Sequence, residues 1–500
     1  MPPVSMRRVA LIPVDARPVV REQVVQLVAT AGCELLVPPL DMLGHFRQPA
    51  DREALADWVL AQAENVDGFV ISLDMLVYGG LVASRFTDDR LESLLDRLGV
   101  INVLKQRHPH KPVYAFVATM RISNNNVAEE EKSYWSDYGE LIWRWSYFTD
   151  KFSVDGDQES RIQAQEAESK IPADVRTDYL ATRARNFAVA KSALALCRDE
   201  GINRLVVPQD DTAQCGFNIA ERRALEALVR EMQIEKWVRI YAGADEVAHT
   251  LCAHLINALC APPPLKVHCI YSDPLNIANL TARYEDRPIL ESLEFQLAAV
   301  DAVTVDTVEA ADVVIGVHTQ GSAQGDWAMR ITLPERSGIR DEWFAALASA
   351  HLSGKPVALL DLAYANGGDP VMLQALTRAL PLRELAGYAG WNTASNSIGG
   401  LVAQCSLARA AFRRPENQRV LCLRLLEDYL YQSVWRQTVR RAIDEPSMTP
   451  EALQETVAST FIPAANQWLS EQQFAFRVES IHLPWQRTFE IGINLSERPA

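Results

Sequence analysis

The chain has 500 residues, 48% of them hydrophobic and 23% charged, with a formal net charge of −15. That length exceeds one ordinary core, so two or three domains are expected. The negative balance and the lack of a Lys/Arg block exclude nucleic acid and anionic membrane as main partners, and no stretch approaches the ~18 apolar residues of a membrane span.

The first apolar run, "VALIPVD" (9–15), is broken by Pro13 and Asp15 before it could serve as a signal-peptide core. Eight scattered cysteines without a CxxC pair read as reduced thiols, which implies a cytoplasmic protein with no structural zinc. Further runs follow at 34–41, 68–74, 112–121, 204–211 and 238–246, separated by helix-like segments. Continuous apolar strands alternating with helices imply a parallel sheet covered on both faces. The segment 124–200, with the aromatic-rich "WSDYGELIWRWSYF", is expected to be a helical insertion. After the Pro-rich "APPPL" (261–265) the pattern restarts, with strands expected at 266–273, 302–307, 311–319, 355–361 and 385–391. The tail opens with an amphipathic helix over 423–443, and 483–495 returns as a strand.

The expected fold is therefore α/β: a Rossmann-like N-terminal parallel-sheet domain (1–260), a flavodoxin-like second domain (265–413) and a mainly helical extension (414–500). A TIM-barrel-like N-terminal domain is the alternative, although eleven strands are too many for one eight-stranded barrel.

Each N-terminal run ends in polar groups, and ligands of parallel α/β folds bind outside the carboxyl ends of strands. Asp15, Arg17, Asp74, Arg121, Asp210, Asp211, Asp245 and Glu246 are accordingly expected on one rim. In "PVDARPVV", Arg17 is held extended before Pro18; a helix cap by Asp15 is the plainer reading. In "SLDMLVYGGLVASR", Tyr78 precedes Gly79–Gly80, which permit close approach but form no phosphate loop. "QDDT" sets two repelling acids side by side, a pattern that suits a metal, a substrate cation or acid/base chemistry as well as a helix start. One of the two is expected to face a ligand, preferably Asp211, with Asp210 capping the helix that begins near Gly216–Phe217 or binding a backbone amide nearby. "GADEV" supplies a second acidic pair, whereas His249 and His254, five apart, lack the spacing of a helical zinc pair. Trp391, Asn392 and Asn396 in "GWNTASNSIGG" offer an aromatic face and amides suited to a sugar, with capping by Asn392 or Thr393 as the alternative. No GxSxG elbow supports a serine nucleophile.

Together "PVDARPV", "SLDMLVYGGLVASR", "QDDT", "GADEV", "GWNTASNSIG" and "LPWQRTFE" resemble, in order and over nearly the whole chain, a bacterial family known as domain of unknown function 4127. That resemblance implies no activity. "GADE" and "QDD" are also similar to the acidic pairs of hexosaminidases, which cleave N-acetylated sugars, but those enzymes use a single barrel.

The residues point to a carbohydrate-active enzyme, a glycoside hydrolase with Asp210, Asp211, Asp245 and Glu246 catalytic, Glu246 being the acid. Asp15, Arg17, Asp74, Tyr78, Arg121, Trp391, Asn392 and Asn396 would bind a small molecule or oligosaccharide in an interdomain cleft. No cofactor is required in that reading, and a homodimer is compatible with it. The alternative is a Mg- or Mn-dependent isomerase, lyase or hydrolase whose ligands would be Asp74, Asp211, Asp245 and Glu246. A small-solute binding module ranks third.

Overall fold

A computed structural model describes residues 6–334 and 341–498. Its contacts divide the chain into two compact units: residues through Ala16 with Leu35–Leu251 and Tyr284–Asp286, and Arg17–Glu34 with Cys252–Arg283 and Arg287–Ala500. Residues 17–34, expected in the N-terminal domain, thus cluster with the second unit.

The first unit is built on β1 (Arg8–Ile12), β2 (Glu34–Leu36), β3 (Gly68–Ser72), β4 (Val113–Phe116), β5 (Arg204–Gln209) and β6 (Val238–Ala242). They form one sheet in the order β2-β1-β3-β4-β5-β6. The four pairings from β1/β3 through β5/β6 are parallel, as the unbroken apolar runs required. β3 is buried at every position, and its Phe69 and Ile71 pack with Leu94, Ile101 and Leu205 in one continuous core. The insertion is helical, at Trp135–Asp155, Gln158–Ser169 and Ala173–Arg198, and has a small core around Trp135, Ile142 and Tyr179.

The second unit contains β7 (Lys266–Tyr271), β8 (Val303–Thr304), β9 (Val313–His318), β11 (Val357–Asp361) and β13 (Gly387–Ala389) in one sheet, ordered β13-β11-β9-β7-β8. A two-stranded ribbon pairs β10 (Gly325–Asp326) with β12 (Tyr364–Ala365). The tail contributes Pro415–Arg424, a π-helical stretch Leu425–Trp435, Arg436–Ala442 and Pro450–Glu471. It closes with the antiparallel pair β14 (Phe476–His482) and β15 (Gly492–Glu497). Here the expected single helix over 423–443 is wound partly as π-helix, and of the expected strand over 483–495 only the part from Gly492 is extended in the sheet, while Trp485 and Gln486 adopt left-handed backbone.

Counted within each sheet, the first five strands of both units run 2-1-3-4-5. That is the flavodoxin order, so the N-terminal sheet is not the Rossmann order 3-2-1-4-5-6. The switch points lie between β1 and β3 in the first unit and between β7 and β9 in the second.

Candidate active site

At the carboxyl end of β3 the chain enters a five-residue π-helical turn, Asp74–Tyr78, closed by Gly79 at φ 89°. A Cβ on Gly79 would lie 2.7 Å from the Ala50 amide nitrogen, so only glycine fits. The turn seats Asp74, 1% exposed, where its carboxylate accepts from the Ala118 amide at 2.9 Å. Burial drives its pKa up to about 7 against the opposing pull of that amide and of Arg85. Tyr78, in the same turn, has a buried hydroxyl with no hydrogen-bond partner among the described residues.

Two guanidiniums organise the acids beside it. Arg85, 1% exposed, donates to Glu131 Oε1 at 3.2 Å, to the Glu130 carbonyl at 3.1 Å and to Asp210 Oδ2 at 3.1 Å. Arg121 bonds the same Glu131 oxygen at 2.9 Å, pairs with Glu130 Oε2 at 3.1 Å and reaches Asp211 Oδ2 at 3.1 Å. Four carboxylates thus share two arginines. Glu131 is the buried bridge between them, whereas Asp211 keeps 26% of its side-chain surface in solvent, Glu130 17% and Asp210 14%. Asp211 also sits in left-handed backbone, φ 38°, a conformation that is costly for a residue with a Cβ. Desolvation and the neighbouring Asp210 charge push its carboxyl pKa up to about 7, with Arg121 and Arg85 opposing. The quarter of that side chain that meets water tempers the desolvation, and the charges of Asp210 and Glu130 act in the same upward direction.

The two aspartates do not divide their labour as expected. β5 ends at Gln209, so strand alternation no longer governs residues 210 and 211, and both acids join the same arginine network. Neither caps the next helix, Phe217–Glu231. Its N-terminus is bonded instead by Asp150, which accepts from the Gly216 amide at 2.9 Å, and by Ser146 Oγ, which accepts from Phe217 at 2.7 Å.

The second acidic pair is more enclosed. Glu246 and Asp245 are 2% and 4% exposed, and Glu246 turns back to accept from the Ala244 amide at 2.9 Å. Gly243, φ 136°, permits that turn: a Cβ there would lie 2.2 Å from Glu246 Oε1. Asp15 is buried just beyond β1. Arg17 belongs to the second unit, where it pairs with Glu490 at 2.8 Å and stacks over Trp485. Trp391 is 2% exposed, which leaves no open face for a sugar ring. Asn392 occupies left-handed backbone and Asn396 lies buried in the helix Ala394–Ala408. That helix is capped by Thr393, whose side chain accepts from the Asn396 amide. Among the described residues no three His, Cys, Asp or Glu side chains are grouped to hold a metal ion. The set Asp74, Asp211, Asp245 and Glu246 therefore makes no such group.

A family model described as "Protein of unknown function (DUF4127)" matches residues 9–494. The chain belongs to this family. No curated protein matches it. In this DUF4127 chain, Arg85, Glu130 and Glu131 complete the network, and none was singled out from sequence. The signal was present as "SR" after the glycine pair and as the acidic run "EEE" (129–131).

The second unit's rim has a different character. Ser272 Oγ lies 3.2 Å from His318 Nδ1, and His318 Nε2 lies 3.0 Å from Asp369 Oδ2. This is not a nucleophilic triad. Ser272 donates to the Thr319 carbonyl at 3.0 Å, and Ser272 and His318 are 1% and 0% exposed. Asp361 accepts from the Asp369 amide at 2.7 Å and Tyr388 OH at 3.1 Å, while Asp428 accepts from Gly390 at 2.9 Å and pairs with Arg424. Burial raises the pKa of Asp361 to about 7 and of Asp428 to about 6.

Proposed function

We propose that the protein is a glycoside hydrolase whose acid/base centre lies at the carboxyl rim of the first sheet. The observation that carries this reading is Asp211: partly exposed, strained, and held protonated up to about pH 7 beside Asp210. A carboxyl of that affinity donates a proton to a leaving glycosidic oxygen near neutral pH. Asp210, ion-paired to Arg85, supplies the negative charge that an oxocarbenium-like transition state requires. Glu130 is the second partly exposed carboxylate and serves as the base toward water. Arg85 and Arg121 are positioning residues, fixing the acids through Glu131 rather than meeting substrate. Glu246, turned onto its own backbone, has a structural role in this reading.

The test is a panel of nitrophenyl glycosides, N-acetylhexosaminides included, assayed with wild-type protein and Asp211→Asn. Hydrolysis of at least one glycoside, slowed in the variant by an amount that grows as the leaving group becomes more basic, is the expected result. No cleavage of any member, with no sugar raising the melting temperature, would end the proposal.

A further inference from the structure

The opposite edge of the second sheet carries a feature that the acid/base reading does not use. A cavity of about 610 Å³ opens beside the residues leading into β11 and is lined by the turn 409–415, "RAAFRRP". Its volume is that of a small-molecule site. In a chain of net charge −15 the lining is strongly cationic: Lys355, Arg383, Arg409, Arg413 and Arg414 face a single carboxylate, Glu384. Glu384 lies 3.7 Å from Arg383 and 3.8 Å from Arg413. Among the described residues no carboxylate lies within 4 Å of Lys355, Arg409 or Arg414.

Two of these cations are fixed by neutral groups. Lys355 Nζ donates to the carbonyls of Glu309 and Ala311, each at 2.7 Å. Arg409 donates to the Ser406 carbonyl at 2.7 Å, the Pro263 carbonyl, Asn257 Oδ1 at 3.2 Å and Ser406 Oγ at 3.0 Å. Carbonyls and amides hold a cation in place without cancelling its charge, which is how a protein prepares a site for an anion. Desolvation works against the charged form of Arg409, and the Asp312 carboxylate partly offsets it. The N-terminus of the helix Pro415–Arg424 lies in the same lining and has no side-chain cap, so its dipole adds to the positive field, although Pro415 supplies no amide and Glu416 in the first turn offsets part of it. The nearly buried Phe412 supplies an apolar wall.

We propose that this cavity binds a phosphorylated small molecule, with its phosphates on Arg413 and Arg414, its apolar body against Phe412, and Lys355 and Arg409 adding positive field from their fixed positions. The site is independent of the acid/base centre, so either can fail without the other.

The full chain is titrated with inorganic pyrophosphate and with ADP by calorimetry at constant ionic strength. Saturable binding of at least one probe is expected, with Kd rising ten-fold or more in the double variant R413A/R414A, whose side chains carry no buried contacts. Asp211→Asn should bind both probes as wild type does. Phe412→Ala separates the sources: a loss confined to ADP identifies a ligand with a ring system, and equal retention of both probes identifies recognition of phosphate alone. No saturable binding of either probe, or an unchanged Kd in R413A/R414A, would overturn the assignment.

Discussion

The two sheets share one strand order, and both gather acids at their carboxyl rims, yet they use them differently. In the first unit Asp210, Asp211 and Glu130 remain partly exposed around two arginines, whereas in the second Asp361, Asp428 and His318 are sealed at 0% exposure. The comparison teaches that the number of acids at a strand end does not mark an active site. Access to solvent combined with raised proton affinity is what sets the proposed acid/base centre apart, because a buried acid with the same affinity has no substrate to meet. Variants in the first rim should therefore change rate, and variants in the second should change stability.

The largest effect is expected at Asp211. Its replacement by Asn should lower kcat/KM by about 10²–10⁴-fold, the range of a general acid. Unfolding free energy should change by less than about 1 kcal/mol, measured by urea denaturation, because the side chain is partly exposed. A large loss of stability with activity retained would reverse the assignment of the two rims.

In the second rim, Arg424→Met strands Asp428 and Glu427 without their guanidinium. Removing one partner of a buried pair costs about 3–5 kcal/mol. Thermal and urea unfolding should show that loss, and the glycosidase rate of the surviving folded fraction should be unchanged.

Asp74 connects the two behaviours, being buried like the second rim but placed in the first. Its folded-state pKa is raised to about 7 from an ordinary value of 3.8. Below pH about 4 both folded and unfolded states carry the proton, and the contribution to stability is fully present. As pH climbs toward 7 the unfolded chain releases that proton and the folded chain keeps it, so stability falls, then levels off above pH 7. The full swing is of order 4 kcal/mol at 1.36 kcal/mol per pKa unit. Urea unfolding at pH 5 and pH 8 should show a drop in wild type that is smaller in Asp74→Asn by the share of this one group, since Asp211, Asp361 and Asp428, also raised, contribute to the same slope in both proteins. Equal pH slopes would mean that Asp74 is ionised throughout.

The smallest effect concerns a motif shared between the two readings made of "GWNTASNSIGG". Thr393→Ala removes the cap of the helix Ala394–Ala408 and should cost about 1 kcal/mol with no change in rate. A rate effect would restore this segment to the site.

Much of the fold was legible because it rests on local patterns. The apolar runs at 9–15, 68–74 and 204–211 became β1, β3 and β5 of one parallel sheet. The order of the strands was not legible, since Rossmann and flavodoxin connectivity use the same strand–helix rhythm. The partners of the acids were hidden for a related reason. Arg85 meets Asp210 across 125 positions and Arg121 meets Asp211 across 90, separations at which no periodicity survives. The expected opposition of Asp210 and Asp211 failed because β5 stops one residue earlier, and the φ of Asp211 is a tertiary outcome invisible in "QDD". Glu246 was singled out for its neighbour Asp245, but its carboxylate serves the turn at Gly243 and Ala244.

The claim that Asp211 is the proton donor is tested most directly by leaving-group dependence. A general acid matters most when the departing oxygen is basic and little when it leaves unaided. For whichever glycoside is cleaved, kcat/KM is measured for wild type, Asp211→Asn and Glu246→Gln with an alkyl and a dinitrophenyl leaving group. Asp211→Asn should lose about 10²-fold or more on the alkyl glycoside and nearly nothing on the dinitrophenyl one, while Glu246→Gln treats both alike. Equal losses on both substrates in Asp211→Asn, or the selective loss in Glu246→Gln instead, would contradict it.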